Sequence, residues 1–126
     1  MPELPNNQDA ERATLGACLL NRDAVIRANA IVKFADFYAE RHAIIWQAIT
    51  GCYERRIPPD VQTVATALMR AQQLDSIGGV GYLSDLTDSA PASYNIEHYA
   101  TEVARTARLR ALITIGGRIA QIGYNG

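Results

Sequence analysis

Between Ser93 and Ile122 the chain contains no proline, and its apolar residues recur at steps of three and four. That pattern reads as one continuous helix opened by Ser93 or Asn95. Its early part carries Ile96, Tyr99, Ala100, Val103 and Ala107, spaced to lay one face on a globular body. Its later part carries Leu109, Leu112, Gly116, Ile119 and Gly123, spaced as a seam. Roughly 29 helical residues at about 1.5 Å each reach about 43 Å, longer than a small body can cover. The second half is therefore expected to project and to leave apolar surface in need of a partner. Gly116 and Gly117 lie inside it, each costing about 1 kcal/mol relative to alanine. They read either as a bend or helix end near Ile115, or as a place where another helix comes close.

The rest of the sequence supplies the body. At 126 residues the chain has the length of one domain, and alanine is abundant while Gly and Pro cluster in a few places. No apolar/polar alternation is long enough for a convincing strand. The expected fold is all-α: about five short helices over residues 8–92, then the long helix over about 93–122. Asn7 or Asp9 caps a first helix to Leu20, burying Leu15, Cys18 and Leu19. Asn21 or Asp23 restarts a short one to about Ala30, with Val25 and Ile26 inward. A third runs from about Ala39 to Glu54 over Ile45, Trp46 and Ile49, with Phe37 and Tyr38 fitting its spacing. Ile57-Pro58-Pro59 stops it. Asp60 caps a fourth to about Gln72, with Val61, Val64, Ala65 and Leu68 inward. Gly78-Gly79-Val80-Gly81 reads as a turn feeding a fifth around Tyr82, Leu83 and Leu86, which Ala90-Pro91 ends. Tyr124-Asn125-Gly126 has the look of an interrupted terminus, as if a returning helix followed.

Composition narrows the function classes. Net charge is −1; residues 1–92 hold eight basic and eleven acidic groups, whereas Arg105, Arg108, Arg110 and Arg118 face only Glu97 and Glu102 beyond them. That is a local basic stripe on an acidic body, thin for a nucleic-acid binder. A helix-turn-helix regulator with Gln62, Thr66, Arg70, Gln72 and Gln73 on its recognition helix is the rival reading. No run of apolar residues is long enough to span a membrane, and the N-terminus lacks the basic flank and apolar core of a signal peptide. Two cysteines do not make a disulfide framework, so a reduced cytoplasmic protein is expected.

Chemistry is hard to find. There is no phosphate-binding loop, and the glycine cluster follows a helix where a dinucleotide loop would follow a strand. Cys18, Cys52, His42 and His98 have no zinc-ligand spacing. His42 and His98 each lie one turn from large apolar residues and read as interface or partly buried histidines. Asp85 and Asp88 share a solvated helix face. Without a nucleophile beside a base, an enzymatic role has nothing to carry it. No catalytic residue, metal or cofactor is expected in this chain.

Five segments then stand in a telling order: Glu11-Arg12-Ala13-Thr14-Leu15-Gly16-Ala17-Cys18-Leu19-Leu20; Asp36-Phe37-Tyr38 with His42; Pro59-Asp60-Val61-Gln62-Thr63-Val64; Gly78-Gly79-Val80-Gly81-Tyr82-Leu83; and Asn95-Ile96-Glu97-His98-Tyr99-Ala100. Together, across about residues 8–124, they resemble the N-terminal domain of DnaB-type replicative DNA helicases. The resemblance implies a helical body followed by a helical hairpin, of which this chain would hold the first arm. It implies domains that pair through hairpins and form a collar on a hexameric ring. It implies docking of the primase C-terminal domain, possible contact with a helicase loader, and DNA touched only weakly. ATP and magnesium would belong to a RecA-like domain outside this chain. The self-association surface then falls on Leu109, Leu112, Ile115, Gly116 and Ile119, and the primase surface on Tyr82, Ile113 and Ile119. Simple packing of Tyr82 beneath the fifth helix, and of Ile113 in the seam, is the alternative.

Overall fold

A computed structural model describes residues 3–90 and 95–126; Ser93 as a helix opener and Pro91 as a terminator lie outside them. Among the described residues the regular structure is entirely helical. α1 spans Gln8–Leu20 and begins where the Asn7 side chain accepts from Ala10 N at 2.9 Å. Asn21 works at two joints. Its N–H closes α1 on the Ala17 carbonyl, and its side chain accepts from Asp23 N at 2.8 Å to open α2, Arg22–Asn29. A short 3-10 turn, Phe34–Asp36, leads to α3, Glu40–Glu54. α3 stops as Arg56 turns left-handed (φ 61°) and Ile57 N bonds back to Cys52 O, just ahead of the two prolines. α4, Val61–Arg70, opens with a reciprocal cap between Asp60 and Thr63.

Here the structure departs from expectation. Gln72 is left-handed at φ 58°, which ends α4 at Arg70 and admits a one-turn helix, α5, Leu74–Ile77. Gly78 at φ 108° is the joint between α5 and α6, Gly79–Asp88, so Gly79 and Gly81 lie in the first turn of α6 itself. Among the described residues six short α-helices precede α7, Ile96–Asn125, where about five were expected. Asn95 holds its N-cap position without a side-chain cap bond. One inward assignment and one helical spacing also change. Ile26 is half-exposed, because the buried face of α2 is formed by Ala24, Val25 and Ala28. Phe37 and Tyr38 precede α3, Phe37 in extended backbone and Tyr38 in a bend, and Phe37 is buried with its ring 5.7 Å from that of Trp46.

α1 is the axle, touching α2, α3, α6 and α7. Its contact with α6 is backbone against backbone: a Cβ on Gly16 would lie 2.2 Å from Leu86 O. That explains glycine inside a helix despite its propensity cost. Leu15, Ile45, Ile49, Leu68, Leu83 and Ile96 fill the core around it.

Candidate functional site

α7 changes character along its length. Ile96, Ala100, Val103, Ala104 and Thr106 are buried on the body, whereas every residue from Ala111 onward is exposed. The helix continues without a break through Gly116 and Gly117, whose Cβ positions open onto empty space. At about 100° per residue, the body-facing residues of the first half cluster on one side. Leu109, Leu112, Gly116, Ile119 and Gly123 cluster on nearly the opposite side. Thr114, Arg118 and Gln121 continue the line that faced the body. The apolar face of the helix has thus swapped sides.

The consequence is geometric. Half-buried Leu109 begins a stripe that runs through Leu112 (63% exposed) to Ile119 (64% exposed), and it points away from the domain that carries it. Ile115 flanks the stripe on one edge and Ile113 on the other, both half-exposed. Ile113 and Ile119 are therefore separated by about a third of a turn and do not form a single patch. No carboxylate follows Glu102, so the projecting arm carries only the cations Arg108, Arg110 and Arg118.

At the base of the arm, Arg110 donates from Nη1 to Pro5 O at 2.9 Å and from Nη2 to Asp36 O at 2.7 Å. The Tyr38 ring lies 5.3 Å from its guanidinium carbon. The Tyr38 segment is in turn tied to α1. Glu11, fully buried, accepts from Tyr38 N at 2.6 Å and Ala39 N at 3.3 Å, and its Oε1 lies 2.7 Å from His42 Nδ1. With Nδ1–H donating to that carboxylate, His42 Nε2 is left to accept the hydroxyl proton of Tyr82 at 2.5 Å. Burial pushes the Tyr82 phenol above its ordinary range, against the pull of Arg41 and Arg12, so it stays a donor. The Arg41 guanidinium covers its ring at 3.8 Å.

Tyr82 is thus half-buried and structurally committed through its hydroxyl, and it does not share an element with Ile113 and Ile119. His42 is not an interface histidine but the buried centre of this network; His98 is exposed, edge-on to Tyr99 at 5.3 Å. Sequence reading missed Glu11 as a functional member. Its one signal was a carboxylate in the first turn of α1, one turn ahead of inward-facing Leu15.

The described residues contain no cluster of His, Cys, Asp and Glu able to hold a metal. Cys18 and Cys52 are buried and free, and burial pushes the Cys18 thiol up to about 12. An open groove of about 900 Å³ between α3 and α4 is floored by Ile44, Ala48 and Ala67 and edged by Arg55, Thr66 and Arg70. It brings together no acid–base pair. Arg70 is the one basic residue of α4. No helix of the described residues is long and apolar enough to cross a membrane.

Comparison with known proteins agrees with this architecture. A family model described as the DnaB-like helicase N-terminal domain matches residues 3–105. The replicative DNA helicase DnaB of Leifsonia xyli is 40% identical over 120 residues, and that of Geobacillus stearothermophilus 41% over 120. Each alignment takes in 95% of this chain but only 26% of the relative, so the chain spans about a quarter of their length. The crystal structure of the N-terminal domain of DnaB helicase from Mycobacterium tuberculosis superposes with a TM-score of 0.95 at 38% identity, over 98% of this chain and 90% of that one. The corresponding domain from Helicobacter pylori, described with its interactions with primase, has the same fold at 18% identity (TM-score 0.75, 93% and 91% covered).

Proposed function

The chain belongs to the DnaB-like helicase N-terminal domain family, and on that premise we propose that it is a non-catalytic assembly and docking domain of a replicative DNA helicase. Its arm pairs with the arm of a second copy through Leu109, Leu112, Ile115, Gly116 and Ile119, and pairs of domains build the collar of a hexameric ring. Primase docks through Tyr82, Ile113 and Ile119. ATP, magnesium and strand translocation belong to another domain of the parent, a cytoplasmic replication protein. DNA contact is weak, and a helicase loader is a further partner of the same collar.

The observation that carries this reading is the stripe facing away from its own body. An apolar row on the near side of the arm could be covered by the domain that bears it. One on the far side is out of reach of this body and must be covered by a helix from outside it, on a second copy or a partner. Burying four large apolar side chains contributes roughly 1.5–3 kcal/mol each when burial is complete. An exposed ion pair contributes less than about 1 kcal/mol. The described interaction of the Helicobacter pylori domain with primase supports the docking half of the proposal. In this reading Tyr82, its hydroxyl engaged by His42, would meet a partner through its ring, and Ile113 and Ile119 would do so from different sides of the arm.

The test is calorimetric titration of a primase C-terminal domain into the chain, alongside the Tyr82→Ala and Ile119→Asp variants. Binding is expected to weaken in both. Equal binding by all three removes the site assignment. Analytical ultracentrifugation of the same proteins reads self-association independently. The rival, a small helical DNA-binding regulator, requires tight, salt-dependent binding to duplex DNA in a mobility-shift assay; that result would overturn the docking reading.

A further inference from the structure

We propose that Arg110 is the residue that aims the arm. It is the last residue of α7 that does not belong to the exposed arm, which begins at Ala111. Its guanidinium bridges two carbonyl oxygens that are far apart in sequence, Pro5 O in the N-terminal lead-in and Asp36 O in the 3-10 turn. Both acceptors are backbone atoms, so the bridge fixes where the chain runs and does not depend on pairing charge with charge. Arginine suits this task because its planar fork directs several N–H donors at once. A lysine ammonium is a point donor and cannot hold two carbonyls in a fixed plane.

The seat of the bridge is itself braced. Asp36 accepts from Lys33 N at 2.9 Å, closing the 3-10 turn. Tyr38, whose ring lies beside the guanidinium, is held through its amide by buried Glu11. Arg110 therefore joins a mobile-by-length rod to a rigid corner of the core. Without it, the last fully buried side chain of α7 is Thr106, one turn earlier. Torque on a rod of this length then acts on a single turn of helix. A fixed exit direction also keeps the apolar stripe on the far side, presented before any partner arrives. This inference rests on the reading of the arm as a docking element, but its first test does not.

That test measures the direction of the arm in the monomer. Spin labels are placed at Gln62→Cys on α4 and Gln121→Cys on the arm, both exposed positions, while the buried thiols of Cys18 and Cys52 stay unreactive. Labelled chain is diluted with unlabelled chain, and the distance distribution is read by double electron–electron resonance. A narrow distribution is expected for the native residue, and a broad one for both Arg110→Ala and Arg110→Lys. Arg105→Ala, which removes only a pair with Glu102 on the same helix, should leave it narrow. An unchanged distribution in Arg110→Lys and Arg110→Ala, with melting unchanged, overturns the proposal. Self-association of Arg110→Lys is expected to weaken by about tenfold, the loss of a preorganised surface. Broadening without any change in association keeps the aiming role of Arg110 and counts instead against the arm as the docking element.

Discussion

The two halves of α7 are both helical and each carries an apolar face, yet one is buried and the other bare. Residues 96–106 spend their apolar face on the core, while 111–125 carry theirs on the other side of the same helix. What separates them is the phase of the pattern, not its strength. A helix whose apolar face changes sides partway serves two different surfaces, and only one of them lies among the described residues. The same contrast extends to polar groups. Glu11 and His42 in the body are fully buried with every hydrogen bond made, whereas Arg108 and Arg118 on the arm stand in solvent.

The largest effect that would test this contrast comes from the buried network. Replacing Glu11 with alanine leaves the part-buried Tyr38 and Ala39 amides and the buried His42 Nδ1 without their acceptor. The expected loss is about 3–5 kcal/mol, the range for breaking a buried polar cluster from one side. Urea unfolding followed by circular dichroism measures it. A loss below about 1 kcal/mol would mean that water reaches the site and that the body is less closed than its burial implies.

Next comes a matched pair. Leu15 is fully buried and Leu112 is 63% exposed, so the same chemical deletion samples both regions. Leu15→Ala should cost about 2–5 kcal/mol of stability, and Leu112→Ala less than about 0.5 kcal/mol. In sedimentation the order reverses: Leu112→Ala lowers self-association, and Leu15→Ala, where still folded, does not. Equal stability losses would show the stripe already covered within one chain.

How much of this was legible in the sequence follows the same division. α1, α3, α4 and the continuity of α7 rest on local signals: period, the Asn7 and Asp60 caps, the Pro58-Pro59 stop. α5 was not legible, because one turn offers no period to read, and the left-handed Gln72 that separates it from α4 has no side-chain signature. Ile26 was placed inward because Val and Ile adjoin; on a helix, neighbours lie about 100° apart, and the smaller Ala24 and Ala28 decided the face. The seam residues of the arm could be listed from spacing alone. The Glu11–His42–Tyr82 network could not, because its members meet across 31 and 40 residues of chain. Nor could the bridge from Arg110 to Pro5 and Asp36, which spans still more.

A smaller effect concerns the glycines of the arm. A Cβ at Gly116 meets nothing within 4 Å in the single chain, so Gly116→Ala should stabilise the local helix by about 1 kcal/mol. Hydrogen exchange of the arm amides reads that gain. Because Gly116 lies in the centre of the stripe, the added methyl is expected to weaken self-association at the same time. Stabilisation with unchanged association would return the glycine pair to a mere relic of flexibility.

The smallest effect is set by pH, and it separates the halves of α7 by charge. Glu97 and Glu102 lie on the body half, each hydrogen-bonded to an arginine, Arg27 on α2 and Arg105 on α7. Those hydrogen bonds, more than the accompanying attraction between charges, hold both carboxyls below the ordinary glutamate value of 4.5. A carboxyl that is more acidic when folded contributes stability above its unfolded value and loses it as pH falls through the folded one. The body half should therefore loosen as pH drops from about 5 toward 3, and less so in high salt, which screens exposed pairs. Glu97→Gln should flatten that part of the profile, leaving α2 less firmly joined to the start of α7. The arm has no carboxylate beyond Glu102. Its amide exchange, corrected for the intrinsic effect of pH, should not change across the same interval. If the arm loosened in step with the body, its direction would depend on acid-sensitive contacts, and a bridge from Arg110 to neutral carbonyls could not be what holds it.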